Sequence, residues 1–379
     1  MQYTDEQIML RDMVREFAKN EIEPIAAEID ESGEFPIANI KKMAELGMLG
    51  IPFPEEYGGA GLDTVSLALA LEEIAKACGA TCLTVAAHIS LCATPIYLFG
   101  TEEQKRKYLN PLAKGESLGS FCLTEPGSGS DAGAAKTTAV LKGDSYIING
   151  TKAYVTNGGV ADIFVVFAKT DPNKGVNGTS AFIVEKGFEG FTVGKKEDKL
   201  GVRASDTRIV SIENCKVPKA NLLGKLSDGF KQALITLDGG RIGIGAMAIG
   251  LAQAAMEKAA AYSKERQAFG QLISEFQAIR WMLADMATEI YAARLMVHEV
   301  ARLRDQRKPY TKEAAMAKLF ASEMAMRATK NAIQILGGYG FCKDYPVERY
   351  WRDAKLTVIG EGTSEIQRLV ISRELLKEL

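Results

Sequence analysis

Histidine is nearly missing from this chain: His88 and His298 are the only two in 379 residues. A metal centre built on a histidine cluster therefore lacks material, and a Ser-His-Asp apparatus would rest on one of two candidates. The six cysteines (Cys78, Cys82, Cys92, Cys122, Cys215 and Cys342) form no CxxC pair and fall within apolar or mixed segments, which suits reduced core thiols. No GxxxxGK[ST] loop occurs. The nearest approach to GxGxxG, Gly243-Ile244-Gly245, lies inside a helical run and not after a strand, so it reads as packing and not as a nicotinamide site. An excess of one charge is also lacking. The formal net charge of -2 gives no electrostatic reason to expect nucleic acid or an anionic membrane as partner. No apolar run approaches a membrane span, and the acidic, amphipathic start (Thr4-Asp5-Glu6-Gln7) has no hydrophobic signal core, so a cytoplasmic protein is expected.

What is present suits a large folded protein. The chain is longer than a single core usually allows, and 47% hydrophobic with 25% charged residues supplies the apolar material. The first part is helical by spacing, with Thr4 or Asp5 as a cap and further helices near 37–48, 64–78, 82–98 and 102–113. From Ser117 to Leu223 the hydrophobic period is two. Gly143-Asp144 marks a hairpin, Asn149-Gly150 offers a second turn, and short apolar strands recur near 163–167, 181–184 and 207–212. No helices alternate with these strands, so the segment is an antiparallel β domain and not a βαβ array. Helices return near 228–265, 276–305 and 312–336, the last stopped by Gly337-Gly338-Tyr339-Gly340. The fold class is α+β: an N-terminal helical domain (1–116), a central antiparallel, barrel-like β domain (117–226) and a C-terminal helical bundle (227–379).

Four stretches carry possible chemistry. In Gly360-Glu361-Gly362 a carboxylate stands between two glycines, after an apolar run and before a helix. Such a group suits a general base, though a surface loop carboxylate has the same local pattern. Phe121 to Asp131 runs a strand into a loop of hydroxyls and glycines, fit for the polar edge of a heterocycle or for a phosphate, or simply a solvated turn. Tyr154 and Thr156 stand at i and i+2, one face of a strand, where a flat aromatic ligand would fit. Arg266 lies where a long helix breaks at Gly270, and arginine suits phosphate by geometry. His88 sits in an apolar run and reads as a core or pocket residue.

In this order the segments resemble the acyl-CoA dehydrogenase family along essentially the whole chain. The resemblance rests on Leu123-Thr124-Glu125-Pro126-Gly127-Ser128-Gly129-Ser130-Asp131, Thr156-Asn157-Gly158-Gly159, Glu265-Arg266 with Phe269-Gly270, Gln334-Ile335-Leu336-Gly337-Gly338, Tyr345-Pro346-Val347-Glu348-Arg349 with Arg352-Asp353-Ala354-Lys355, and Glu361-Gly362-Thr363. The short-chain, butyryl-CoA-type bacterial branch looks nearest. The resemblance implies FAD, an acyl-CoA thioester, a homotetramer and electron-transfer flavoprotein as electron acceptor. It implies that Glu361 removes the α-proton while the β-hydrogen leaves as hydride to flavin N5. The thioester oxygen is then held by a flavin ribityl hydroxyl and the Glu361 N–H. By the same resemblance Phe121, Leu123, Thr124, Ser130, Tyr154, Thr156, Thr363 and Glu365 contact the flavin part of the cofactor. Arg266, Phe269, Phe276, Gln277, Gln334 and Gly338 hold its pyrophosphate and adenine, partly from a neighbouring subunit. Ser130, Asp238, Arg241, Gly360, Gly362 and Arg373 contact the acyl-CoA.

Two departures carry information. Many members with the base at this location have Tyr just before it, and here Gly360 stands there; the lost ring would leave space for a substrate branched or alicyclic near Cα–Cβ. Some relatives place the base on the helix where this chain has Gly240, which cannot serve. A straight short-chain acyl-CoA, or an enoyl-CoA reduced in the reverse direction, remains open. A glutaryl-type decarboxylating activity is disfavoured because Thr81 to Phe99 carries no Arg or Lys to hold a distal carboxylate. An oxidase, or a silent acyl-CoA-binding relative, completes the alternatives.

Overall fold

Thr4 opens the first helix, Asp5–Phe17, as a capping box: its hydroxyl accepts from the Gln7 N–H, and the Gln7 side chain accepts from the Thr4 N–H. The computed structural model describes residues 2–379, and runs helices, sheet, helices in chain order. Prolines fall within the N-terminal helical stretches without ending them. Wide π turns at Ala18–Ile22, Ala87–Ala93 and Lys105–Leu109 come just before Pro24, Pro95 and Pro111. A proline removes one N–H and its ring crowds the preceding turn; widening that turn relieves the clash. At Pro95 the carbonyl of Ile89 is satisfied by both the N–H and the hydroxyl of Thr94. The helix Gly79–Phe99 therefore continues through the proline.

The central sheet has eight strands. Seven follow the order Phe191–Lys196, Thr207–Pro218, Ser145–Thr156, Thr138–Lys142, Ile163–Lys169, Thr179–Glu185, Leu222–Leu223. The eighth, Gly119–Cys122, lies parallel to Ile163–Lys169. Its two end strands do not pair with each other, so the sheet is not a closed barrel. It is antiparallel in the main, with parallel pairing where Ile163–Lys169 meets Gly119–Cys122 and Thr138. Gly143-Asp144 makes the expected hairpin. Asn149-Gly150 does not turn the chain. The strand Ser145–Thr156 passes through it with a bulge, because it pairs along its length with Thr207–Pro218 and the Asn149 side chain accepts from the Asn214 N–H.

The long helix Gly229–Ser263 is the axis of the C-terminal part. It packs against Thr64–Ala77, Gln277–Asp305, Thr311–Leu336 and Val347–Thr357, and its many small residues let these helices approach. It ends at Ser263, earlier than the expected break. Gly270 belongs to a tight hairpin that pairs Gln267–Ala268 with Gln271–Leu272, with Phe269 and Gly270 both in the left-handed region. Contrary to the sequence reading, two helices, Gly79–Phe99 and Gly229–Ser263, are long and apolar enough to cross a membrane by length and composition. In each, 78% of the apolar window is buried inside the fold, where core helices lie. Five of the six cysteines are buried; Cys342 is exposed, against the expectation of core thiols throughout.

Candidate active site

The segment Val358–Thr363 links the helices Val347–Thr357 and Ser364–Glu378. Within it Glu361 has φ +54° and Gly362 φ +93°. The left-handed region costs a residue with Cβ about 1–2 kcal/mol, so something must hold Glu361 there. Gln367 donates to the carbonyls of Glu361 (3.2 Å) and Gly362 (2.9 Å), and Lys318 donates to Gly362 (2.8 Å). Thr363 caps the last helix by accepting from the Ile366 N–H. The Glu361 N–H itself donates to no carbonyl among the described residues.

The Glu361 carboxylate turns inward against the helix Gly229–Ser263. A Cβ at Gly240 would lie 2.0 Å from Glu361 Oε2 and 3.0 Å from Leu91 Cδ2, so only glycine leaves room for the carboxylate there. Oε2 is sealed from water and has no hydrogen-bond partner. Burial drives the Glu361 carboxyl up to about 7, against the opposing pull of Lys318 and then Arg241. An enclosed, unpartnered carboxylate that titrates near neutrality has the properties of a general base. One turn of the same helix supplies Asp238 and Arg241, paired at 2.5 Å, with Thr311 donating to the other Asp238 oxygen at 2.7 Å. Arg241 is buried and its Nε lacks a partner, which leaves an unmade bond for an acceptor. Arg373 is exposed on the last helix, close enough to act on Asp238 through its charge. The spare space at Gly360 is of another kind: its φ is ordinary, and a Cβ there would meet only Leu356, at 3.5–3.7 Å.

Leu91 joins this group to the sheet. The next residue, Cys92, packs on Gly119, and His88 accepts the Gly119 N–H on Nδ1 and so donates from Nε2 to the Leu112 carbonyl. His88 is buried, burial holds it down at about 4, and it is a neutral clamp between helix and strand. Asn157 adds a second clamp, donating to the carbonyls of Thr84 and Gly119. Phe121, Leu123 and Thr124 run on from that strand, beside Tyr154 and Thr156: the Ala153 N–H donates to the Thr124 carbonyl, and Ser120 donates to the Thr156 carbonyl. A bulge between Lys152 and Val155 sets Tyr154 at φ +54° and interrupts the simple alternation of faces. Tyr154, 71% exposed, and the half-buried Thr156 nevertheless both stay on the less buried side. Behind them lies an ion pair whose role is not apparent in the sequence. Lys152, fully buried, donates to Glu125 (2.8 Å) and to the Leu123 carbonyl (3.2 Å), and Glu125 also accepts the Lys136 and Thr137 N–H groups. Ser130 is exposed on the loop that this carboxylate closes.

Arg266, Phe269, Phe276, Gln277, Gln334 and Gly338 are not gathered with Glu361. They lie at an exposed end of the C-terminal helices. Arg266 and Gly338 line an open depression of about 590 Å³ with Tyr262, Leu336, Tyr339 and Cys342. Phe269, 96% exposed, stands at the hairpin tip edge-on to Phe276. Gln334, Gln277 and Glu365 are exposed. Sequence reasoning missed Lys318, Gln367 and Leu91, which surround Glu361, and Lys152, which underlies the hydroxyl loop. Each lies in an ordinary helical or strand pattern with no local motif. Among the described residues no cluster of His, Cys, Asp and Glu suited to a metal occurs.

Three family models match the chain: acyl-CoA dehydrogenase N-terminal domain over residues 4–116, middle domain over 120–215 and C-terminal domain over 227–376. A short-chain-specific acyl-CoA dehydrogenase of Clostridium acetobutylicum is 56% identical over 374 residues, covering 99% of each chain. An acryloyl-CoA reductase (NADH) of Anaerotignum propionicum is 51% identical, covering 99% of this chain and 95% of that protein. Among solved structures, the butyryl-CoA dehydrogenase of Megasphaera elsdenii superposes with a TM-score of 0.98 at 46% identity, covering 99% of both chains. A chain from the structure of the electron transferring flavoprotein of Acidaminococcus fermentans, described in terms of flavin-based electron bifurcation, gives a TM-score of 0.98 at 55% identity, covering 100% of this chain and 99% of that one. An acyl-CoA dehydrogenase of Bacillus anthracis complexed with FAD gives a TM-score of 0.94 at 40% identity, covering 99% of this chain and 68% of that one.

Proposed function

This chain belongs to the acyl-CoA dehydrogenase family of FAD-dependent oxidoreductases acting on CH–CH groups, and on that premise we propose that it desaturates a short acyl-CoA at Cα–Cβ with Glu361 as base. The observation that carries the assignment is the Glu361 carboxylate, enclosed against Gly240 with Oε2 unpartnered. The residues suit FAD: half-buried Thr124 and Thr156 present hydroxyls on neighbouring segments, with Tyr154 turned outward beside them. When bound, FAD would supply the two-electron acceptor that takes up the β-hydrogen as hydride. Glu361 takes the α-proton, and its unengaged N–H donates to the thioester oxygen as negative charge develops there. Arg241 and Asp238 orient the thioester part of the substrate from the neighbouring helix, and Arg373 and Ser130 contact CoA further out. Arg266, Phe269, Phe276, Gln277, Gln334 and Gly338 serve the pyrophosphate and adenine. The exposed Phe269 hairpin suits a role across a subunit boundary in a homotetramer.

Electron-transfer flavoprotein is the proposed acceptor, a reading supported by the Acidaminococcus chain. The open space at Gly360 supports a substrate broader than butyryl near Cα–Cβ. The likeness to an acryloyl-CoA reductase favours a second reading, in which the same site works as an enoyl-CoA reductase when a partner supplies electrons. Glu361→Gln tests the base directly. FAD should remain bound while turnover with an artificial acceptor falls by at least the roughly 10²–10⁴-fold attributed to general base catalysis. Near-normal turnover would reject the assignment.

A further inference from the structure

Lys318 is fully buried in the helix Thr311–Leu336, and its Nζ donates to the Gly362 carbonyl, the residue after the base. One turn further along the same helix Ser322 donates to the Thr357 carbonyl at 2.8 Å, where the segment begins. The two bonds fix both ends of the segment that carries Glu361. A neutral donor would make the Gly362 bond without the cost of burying a cation. Among the described residues Lys318 has no carboxylate within salt-bridge distance, so its charge needs another account.

The groups around Glu361 supply one. The helix Gly229–Ser263 offers Arg241, already paired with Asp238. The helix Thr311–Leu336 offers Lys318 and, further off, Glu323, which lies near Arg368. The last helix brings Glu365, Arg373 and Glu374, the latter two paired with each other at the surface. Tyr310 lies beside Asp238 and Arg241. The helix Gly79–Phe99 brings Leu91 and no charged side chain, and its His88 is engaged elsewhere. The helix Gln277–Asp305 brings Arg304 against Gly239, where its charge acts on Tyr310 and Asp305. Of the two cations that act on Glu361, Arg241 is paired with Asp238, and Lys318 is in no ion pair among the described residues.

We propose that Lys318 is a positioning residue for the reaction: its ammonium holds the Gly362 carbonyl, and with it the left-handed turn that aims Glu361, and sets a positive charge beside that carboxylate. This rests on Glu361 being the base. Among the opposing causes at Glu361, Lys318 comes before Arg241 in lowering a carboxyl that burial has raised to about 7. Removing the cation lets that value rise further, so the acidic limb of the rate profile moves to higher pH.

The test uses FAD-loaded enzyme carrying Lys318→Gln or Lys318→Met, with kcat and kcat/KM for butyryl-CoA measured against pH and FAD content checked by the flavin spectrum. The Gln variant keeps a donor and loses the charge; the Met variant loses both. Both should shift the acidic limb upward by about one pH unit or more. At high pH the Gln variant should recover more of the wild-type kcat than the Met variant. An acidic limb at the wild-type pH in the Gln variant overturns the proposal, and that variant decides the matter if the Met variant does not fold. Glu361→Gln, run alongside, separates the two claims: if it keeps its turnover the base assignment fails, whereas normal limbs in the Lys318 variants with an inactive Glu361→Gln defeat only the role of Lys318.

Discussion

At Glu361 a carboxylate meets a helix at Gly240, where that helix has no side chain. The contact with Gly240 explains both why the carboxylate fits and why no second acid can stand there. Gly360 is the complementary case. Its φ is ordinary and a Cβ would meet nothing closer than 3.5 Å, so the backbone does not require glycine. A ring at this position would enter the open space by Leu356 instead of straining the turn, and on the proposed function that space is the substrate's. Gly360→Tyr should therefore leave FAD binding intact and lower kcat/KM for isobutyryl-CoA relative to butyryl-CoA by about tenfold or more, the usual worth of a methylene in an apolar pocket. An unchanged ratio would remove Gly360 from the account of specificity. The acid's location in a Gly-Glu-Gly motif was visible in the sequence, whereas Lys318, Gln367 and Leu91 were not. They reach Glu361 from three different helices, and their local patterns are those of ordinary buried helical positions.

Elements were legible where local chemistry decides them. The Thr4 cap, the Gly143-Asp144 hairpin and the stop at Gly337 follow from side-chain type. Failures came where pairing partners override local preference. Asn149-Gly150 looks like a turn, but the neighbouring strand holds it extended as a bulge. The strand Phe191–Lys196 was missed, because its pairing with Thr207–Pro218, and not any turn signal beside it, makes it a strand. Prolines 95 and 111 sit inside helices that absorb them by widening the preceding turn. That adjustment falls at Leu91 and Cys92, the two residues that join Glu361 to the sheet. The hydroxyl loop after Leu123 depends on the Lys152–Glu125 pair behind it. Burial alone would raise the Glu125 carboxyl, but Lys152 and three hydrogen bonds pull it down to about 2. Lys152→Met leaves a buried carboxylate without its cation and should cost about 3–5 kcal/mol. A denaturant midpoint shift and weaker FAD retention would report it; unaltered stability would contradict it.

Across the whole molecule, buried acids make stability depend on pH in opposite directions. Glu125 sits below its ordinary value, so its contribution is present above about 4.5 and is lost as pH falls toward 2. Asp353, buried where it accepts the Val202 N–H, is raised by burial from 3.8 to about 7. Its contribution is therefore full below 3.8 and is lost as pH rises through about 7, and Glu361 acts in the same sense. Asp353→Asn keeps the acceptor and abolishes the titration. Its melting temperature should fall less steeply than that of the parent between about pH 4 and 7, and an equal slope would show that Asp353 does not titrate in this way. The same global arrangement brings the last segment of the chain against helices from its beginning and middle, so that one carboxylate near the C-terminus lies against Gly240 and Leu91, on a turn held by Lys318. The most direct test of that carboxylate's role is a single turnover without oxygen. Butyryl-CoA is mixed with FAD-loaded parent enzyme and with Glu361→Gln, and the flavin absorbance is followed. The parent should bleach rapidly while the variant, binding FAD equally, bleaches at least about 10²-fold more slowly; equal rates would show that Glu361 is not the base.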